Sequence, residues 1–246
     1  MAIINDVLRQ VVADVPGWTS FDDLLALFAM AMSSPAGEFV DVGAFCGRSS
    51  IAMGLAARER GNQVFALDLW PKQNDWVMDQ TGWFYNVQVN GKDRPGCFSR
   101  IWNEPFTDVI LPIYNSFSNL QEAFEHYTRI YGVRDHVIPM RMNSWDLRND
   151  PVRFQFVKEK CSLCFIDADH AENMVVTDIA NCMAFLKDGG TLAVDDYGGV
   201  YYGVTKAVDS VVRKLACFQG FTQVTRKMAI ARYDSRATSE DNSAGR

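Results

Sequence analysis

An α/β architecture built on a mostly parallel sheet is what this chain predicts, and three stretches predict it. The first is Cys161 to Tyr202, where two short apolar runs, Leu163 to Ile166 and Thr191 to Val194, each stop on carboxylates. Asp167 and Asp169 follow one run, and Asp195 and Asp196 follow the other. Between them Glu172 to Leu186 is amphipathic and is closed by Lys187-Asp188-Gly189-Gly190, so the unit reads as strand, crossover helix, strand. The second stretch is Glu38 to Gly43, an apolar strand that runs into a glycine loop and a helix reaching about Arg60. The third is the recurrence of the pattern at Gln63 to Leu67, ending on Asp68, and at His136 to Met140.

Taken in order, Ile3 to Val15 and Thr19 to Met32 carry apolar residues at helical spacing, with Thr19 or Ser20 as the cap ahead of Asp22 and Asp23. Residues 1–37 form a helical cover that lies over the sheet or walls the site. Pro35-Ala36-Gly37 breaks the pattern before the main domain, residues 38–234. Residues 69–117 are an aromatic-rich insertion holding Trp70, Trp76, Trp83, Phe84, Tyr85, Phe98, Trp102 and Phe106, with no long periodic run before Ser118. Two roles stay open for it, a lid that excludes water from an apolar pocket and an oligomer contact. Ser118 to Tyr131 and Pro151 to Lys160 are helices and Val204 to Leu215 is another, while Phe221 to Val224 with Met228 to Tyr233 resembles the antiparallel final hairpin of the fold family named below. Residues 235–246 are polar and lack aromatics, which predicts a disordered tail.

The chain has 246 residues, 48% of them hydrophobic, and a formal net charge of −6. That suits one α/β domain acting on a small molecule, without the basic density that a nucleic acid or an anionic membrane requires. No apolar run approaches the ~20 residues of a membrane span and no leader pattern stands at the N-terminus, so a cytoplasmic location is expected. The six cysteines, Cys46, Cys97, Cys161, Cys164, Cys182 and Cys217, fall mostly inside predicted elements, as buried thiols in a reducing compartment do. The CxxC spacing of Cys161 and Cys164 has no second pair, which argues against zinc.

In a strand, helix, strand unit of this kind both sets of carboxylates emerge at one edge of the sheet, where open α/β folds keep their sites. Several acids held so close need a cation, a positive side chain or a trapped proton to offset them. Helix capping accounts for Asp169 but not for two adjacent acids after a second neighbouring strand. At the other strands, Gly43 and Gly47 let a ligand approach the backbone, and Asp68 stands where an acid grips a ribose diol. The GxxxG spacing departs from the dinucleotide fingerprint and argues against a nicotinamide.

EFVDVGAFCGRSS followed by ALD resembles the first two motifs of class I S-adenosylmethionine-dependent methyltransferases. FIDADH and AVDDYGG resemble the metal-binding stretches of the cation-dependent caffeoyl-CoA and catechol O-methyltransferases. DADH, LKDGGTLAVDDY and the later GVTKAVD together are most similar to the macrocin and novobiocin-type sugar O-methyltransferases. The resemblance implies a Rossmann-like class I methyltransferase fold, with a seven-stranded, mostly parallel sheet, an antiparallel final hairpin and helices on both faces. It implies S-adenosylmethionine as cofactor, held by Asp41, Gly43, Phe45, Gly47, Ser49, Asp68, Leu69, Ser144, Trp145 and Asp167, with Ser144 and Trp145 toward the adenine unless the tryptophan packs inward.

It also implies a divalent cation on Asp167, Asp195 and Asp196, a hard all-oxygen set that suits Mg²⁺. His170 stands where those aromatic-substrate enzymes place a catalytic lysine, and an imidazole can accept a proton near neutral pH. Asp167 and Asp169 are the other candidates for the base. The acceptor is then a small-molecule hydroxyl, in a vicinal diol on a sugar or an aromatic ring, and a homo-oligomer is compatible with the sequence. Two further readings share the motifs: a non-methylating metal enzyme like the cephalosporin hydroxylases, and a nucleoside-binding regulatory protein.

Overall fold

Five parallel strands and one antiparallel hairpin make the central sheet of the computed structural model, which describes residues 2–80, 82–99 and 106–237. The strands are β1 (Glu38–Val42), β2 (Val64–Asp68), β6 (Val137–Arg141), β7 (Cys161–Ile166), β8 (Leu186–Val194), β9 (Phe218–Gln223) and β10 (Ala229–Tyr233), in the spatial order β6-β2-β1-β7-β8-β10-β9. All pairs from β6 to β8 are parallel, and β10 runs antiparallel to both β8 and β9. This is the Rossmann-like arrangement that the motifs implied. The strand order turns back between β1 and β7, which puts the crevice of the fold at their carboxyl ends.

Alternation along the strands explains why helices cover both faces. Phe39, Val64, Ala66, Leu163 and Phe165 point into one core, and Val40, Val42, Phe65, Leu67, Cys164 and Ile166 point into the other. The first core is closed by α1 (Ala2–Asp14), α2 (Phe21–Ser33) and α3 (Arg48–Arg60), through Leu8, Val11, Leu24, Leu27, Ile51 and Met53. Burying a side chain of that size typically contributes ~1.5–3 kcal/mol. The N-terminal helices therefore share the core of the main domain. Arg48 ties the two together, its guanidinium donating to the carbonyls of Val12, Val15 and Thr19 at 2.6–3.0 Å. Helix α2 starts at Ser20, whose hydroxyl accepts from the Asp23 N–H while Asp23 accepts from the Ser20 N–H, a reciprocal cap. Among the described residues no helix is long and apolar enough to cross a membrane.

The insertion is regular although it holds no long periodic run. It forms a three-stranded antiparallel sheet of β3 (Trp76–Met78), β4 (Gly82–Val89) and β5 (Lys92–Ser99). Asn90 and Gly91 join β4 to β5 with positive φ at both positions (50° and 73°), as a tight hairpin turn requires. Trp83 stacks on Phe106 at 3.8 Å, and Trp76 lies 4.8 Å from both Tyr85 and Phe106. The hairpin also sends Val87 and Val89 into the second core beside Met140 and Leu147. The Trp102 side chain and most of the tail (238–246) lie outside the described residues. Cys46, Cys161, Cys164, Cys182 and Cys217 are buried free thiols.

Candidate active site

At the carboxyl end of β1, Asp41 is wholly buried and its Oδ2 accepts hydrogen bonds from the Ser49 hydroxyl at 2.8 Å and from the Ser50 hydroxyl. Its Oδ1 is buried with no hydrogen-bond partner among the described residues. Burial pushes this carboxyl up to about 6, with the two serine donors opposing. The glycine loop that follows is shaped by close approach of backbone. Gly43 has φ +95°, and a Cβ there would overlap the carbonyl of Asp167, so the loops after β1 and β7 can touch only through a glycine. Gly47, at φ +101°, opens α3 without a side-chain cap, which leaves the N–H groups of the first turn without a side-chain acceptor.

Asp68 ends β2 and clamps this loop. Its Oδ2 accepts from the Phe45 N–H at 2.9 Å and its Oδ1 from the Trp70 N–H at 2.7 Å, while the Trp70 indole N–H donates to the Phe45 carbonyl at 2.7 Å. Phe45 and Trp70 both sit at positive φ (44° and 40°), a costly conformation for aromatic residues that persists because the clamp fixes it. Each Asp68 oxygen thus accepts one N–H of the loop. The neighbouring Leu69 is half-buried, and its carbonyl accepts from Arg141 Nε at 3.0 Å.

The structure separates the two residues expected at the adenine. Ser144 is buried and faces inward: its hydroxyl donates to Asp178 and accepts from Asn181 Nδ2 at 2.9 Å, both on the Glu172–Phe185 helix. Trp145 is 51% exposed and free to meet a planar ring. Its neighbour Asp146 receives Arg94 of β5, which fastens the inserted hairpin to this loop.

A second group of acids lies at the ends of β7 and β8. Asp167, His170 and Asp196 each bring one potential ligand atom within 4.8 Å of the others. His170 Nε2 is 2.8 Å from Asp196 Oδ2, and the imidazole stacks on Tyr201 at 3.8 Å and 18°. Asp196 is held at φ +58°. Asp169 turns aside, accepting from the Ala171 N–H at 2.7 Å as a turn residue before the helix.

Asp195 is 2% exposed and bonds through Oδ2 to Lys227 Nζ, which also lies 3.3 Å from Asp196 Oδ1; among the described residues Asp195 Oδ1 has no hydrogen-bond partner. Burial first, with neighbouring carboxylates adding to it and Lys227 opposing, raises both Asp167 and Asp195 well above the ordinary carboxylate range. Burial acts the same way on Asp196, but its bond to His170 and the charge of Lys227 outweigh it and hold Asp196 low.

The positive side chain that the acids required is thus Lys227, which the sequence reading did not single out. The signal for it was available in the topology. A strand antiparallel to β8 must begin at the edge where β8 ends, and Ala229 indeed pairs with Val194, so a lysine two residues earlier meets Asp195 and Asp196. Tyr201, stacked on His170, was likewise unnoticed.

A family described as a methyltransferase domain matches residues 40–197. Among solved structures the chain is similar to the O-methyltransferase NovP (16% identity, TM-score 0.58, 89% of this chain and 83% of that one). It is similar to cofactor-bound Rv0187 from MTB (15%, TM-score 0.58, 94% and 88%). It is also similar to the O-methyltransferase TomG from Streptomyces achromogenes, in complex with SAM (12%, TM-score 0.55, 89% and 82%). At these identities the likeness is one of fold.

Proposed function

This chain belongs to the methyltransferase-domain family, and from that footing we propose that it is a cation-dependent O-methyltransferase that moves a methyl group from S-adenosylmethionine to one hydroxyl of a small-molecule diol. The observation that carries the reading is the juxtaposition across Gly43. The glycine loop and the acidic group after β7 are in backbone contact, so a cofactor seated on the loop lies beside the carboxylates.

The residues present suit both partners. The uncapped first turn of α3 offers N–H donors and a positive dipole end to the carboxylate of the cofactor's methionine part. Asp68 presents its carboxylate to the ribose, and Trp145 an exposed ring to the adenine. The cofactor supplies the methyl group. Asp167 and Asp196 offer the hard oxygens that Mg²⁺ prefers, and Asp195 Oδ1, buried and unpaired among the described residues, marks a surplus of acceptor capacity beside them. A bound divalent cation would orient a diol and favour loss of a proton from the hydroxyl to be methylated.

His170 is the residue to take that proton. With Nε2–H donating to Asp196, Nδ1 is left as the acceptor, and the carboxylate stabilises the imidazolium that forms. The stack on Tyr201 fixes the plane of the ring.

The test is calorimetric titration with S-adenosylmethionine, with and without Mg²⁺, followed by mass spectrometry on a panel of sugar and aromatic diols. Cofactor binding together with a Mg²⁺-dependent gain of one methyl group on a diol is the expected result. Full turnover after rigorous chelation would remove the cation from the mechanism, and absence of cofactor binding would remove the reading itself.

A further inference from the structure

Lys227 is placed by more than its own side chain. It lies in the turn between β9 and β10, and both sides of its peptide are held: its carbonyl accepts from the Tyr197 N–H at 2.8 Å, and its N–H donates to Thr225 Oγ1 at 3.4 Å. Thr225 Oγ1 also accepts from the Met228 N–H at 3.0 Å and donates to Asp23 Oδ1 at 2.5 Å. Asp23 is 1% exposed and is the residue that caps α2 with Ser20. The N-terminal helices thus fix the turn that carries the ammonium. Lys227 reaches two carboxylates, while the second oxygen of Asp195 is buried and unpaired among the described residues. Three acids and one lysine leave a formal charge of −2, which a divalent ion balances.

We propose that Lys227 is a built-in counter-charge that withholds Asp195 from the cation site and so sets how tightly this site holds a divalent ion. The proposal rests on the cation-dependent reading above. Lys227 is a positioning residue in this scheme: it keeps Asp195 turned away, leaves Asp167 and Asp196 as the oxygen ligands, and by its own positive charge makes the ion exchangeable.

A side chain without charge at this position frees Asp195 as a third carboxylate and removes a repelling charge from beside the ion. The readout is direct binding of Mn²⁺ to the full chain without substrate, followed by the electron-spin signal of the free ion. Lys227→Met should bind Mn²⁺ about tenfold more tightly than the wild type or better. Its thermal midpoint without metal should fall, because the Asp195 carboxylate loses its bond to the ammonium, and added Mn²⁺ should restore more stability to it than to the wild type. Lys227→Arg keeps the charge and should bind Mn²⁺ as the wild type does. Lys227→Gln, which keeps a donor for Asp195 and stays uncharged, should also bind more tightly and serves if the methionine variant does not fold.

Wild-type binding with no tighter binding in the uncharged variants overturns the role of Lys227 and leaves the cation reading standing. Equal tightening in Lys227→Arg overturns it too, since the charge would then be irrelevant. Folded wild type and variants that all fail to bind Mn²⁺ overturn both.

Discussion

Asp41 and Asp68, near the ends of β1 and β2, are surrounded by neutral donors: two serine hydroxyls for one, two backbone N–H groups for the other. Asp167, Asp195 and Asp196, at the ends of β7 and β8, have instead a lysine and a histidine among them and a surplus of negative charge. Both groups occupy the same edge of one sheet. Neutral donors fix a shape without cancelling a charge, so the first pair holds the loop rigidly in place. The second group keeps carboxylates that its cationic neighbours do not fully offset, and the proposed cation and proton roles rest on that. On the proposed reading, this difference separates a cradle from a reaction centre.

The comparison is broken most severely at Asp167. Asp167→Ala should lower turnover by about a thousandfold or more while S-adenosylmethionine affinity changes little. Chelation of the wild type should copy it. Parallel loss of cofactor affinity in calorimetry would mean that the two groups do not divide the work in this way.

His170→Gln should slow methyl transfer by about a hundredfold, at the low end of what a general base contributes, with metal and cofactor binding intact. A variant within a few-fold of the wild type in single-turnover assays would pass the proton to a carboxylate.

Asp68→Ala acts on the cradle, and here the structure alters what the sequence suggests. A solvent-facing acid at a strand end would affect the cofactor alone. Because Asp68 accepts from both Phe45 and Trp70, its removal leaves two N–H groups unpaired and releases two strained residues. Stability should fall by about 1–3 kcal/mol together with cofactor affinity, read as a lower thermal midpoint in the free protein. An unchanged midpoint would show that the clamp contributes nothing.

The effect expected at Asp41 appears as a pH dependence. Its folded pKa, about 6, lies above its ordinary value of 3.8, so the folded state binds the proton more tightly than the unfolded chain. Asp41's contribution to stability therefore declines as pH rises from about 4 to about 6 and is flat beyond. Asp41→Asn, which can still accept from both serines, should flatten that part of a thermal-midpoint profile. An identical slope in the variant would assign it to other buried acids, such as Asp178.

The inserted segment shows where reading the sequence fell short. Its aromatic residues draw attention to burial, and the search for a long periodic run passes over strands of eight residues. Yet VQVNGKD carries an Asn-Gly pair between alternating residues, the strongest short-range hairpin signal, and β4 and β5 meet around it. The β3 strand has only three residues and no comparable signature. Arg94 reaching Asp146 joins residues 52 apart, a contact that no local pattern encodes.

By itself the sequence determined the parallel sheet, its helices, the final hairpin and the edge on which the acids gather. The strands, helices and shared edge follow from the periodicity of apolar residues and from the rule that a crossover keeps strands parallel, both of which are local, and the hairpin was legible through its resemblance to the family. The tertiary structure alone decided which side chain meets which partner: Asp68 with two N–H groups of a strained loop, Ser144 with Asp178 and Asn181 of a helix, and Asp195 with Lys227. A side chain's partner depends on distances of a few ångströms between segments far apart in the chain, and on burial that makes one pairing worth more than another. Neither quantity is written in the order of the residues.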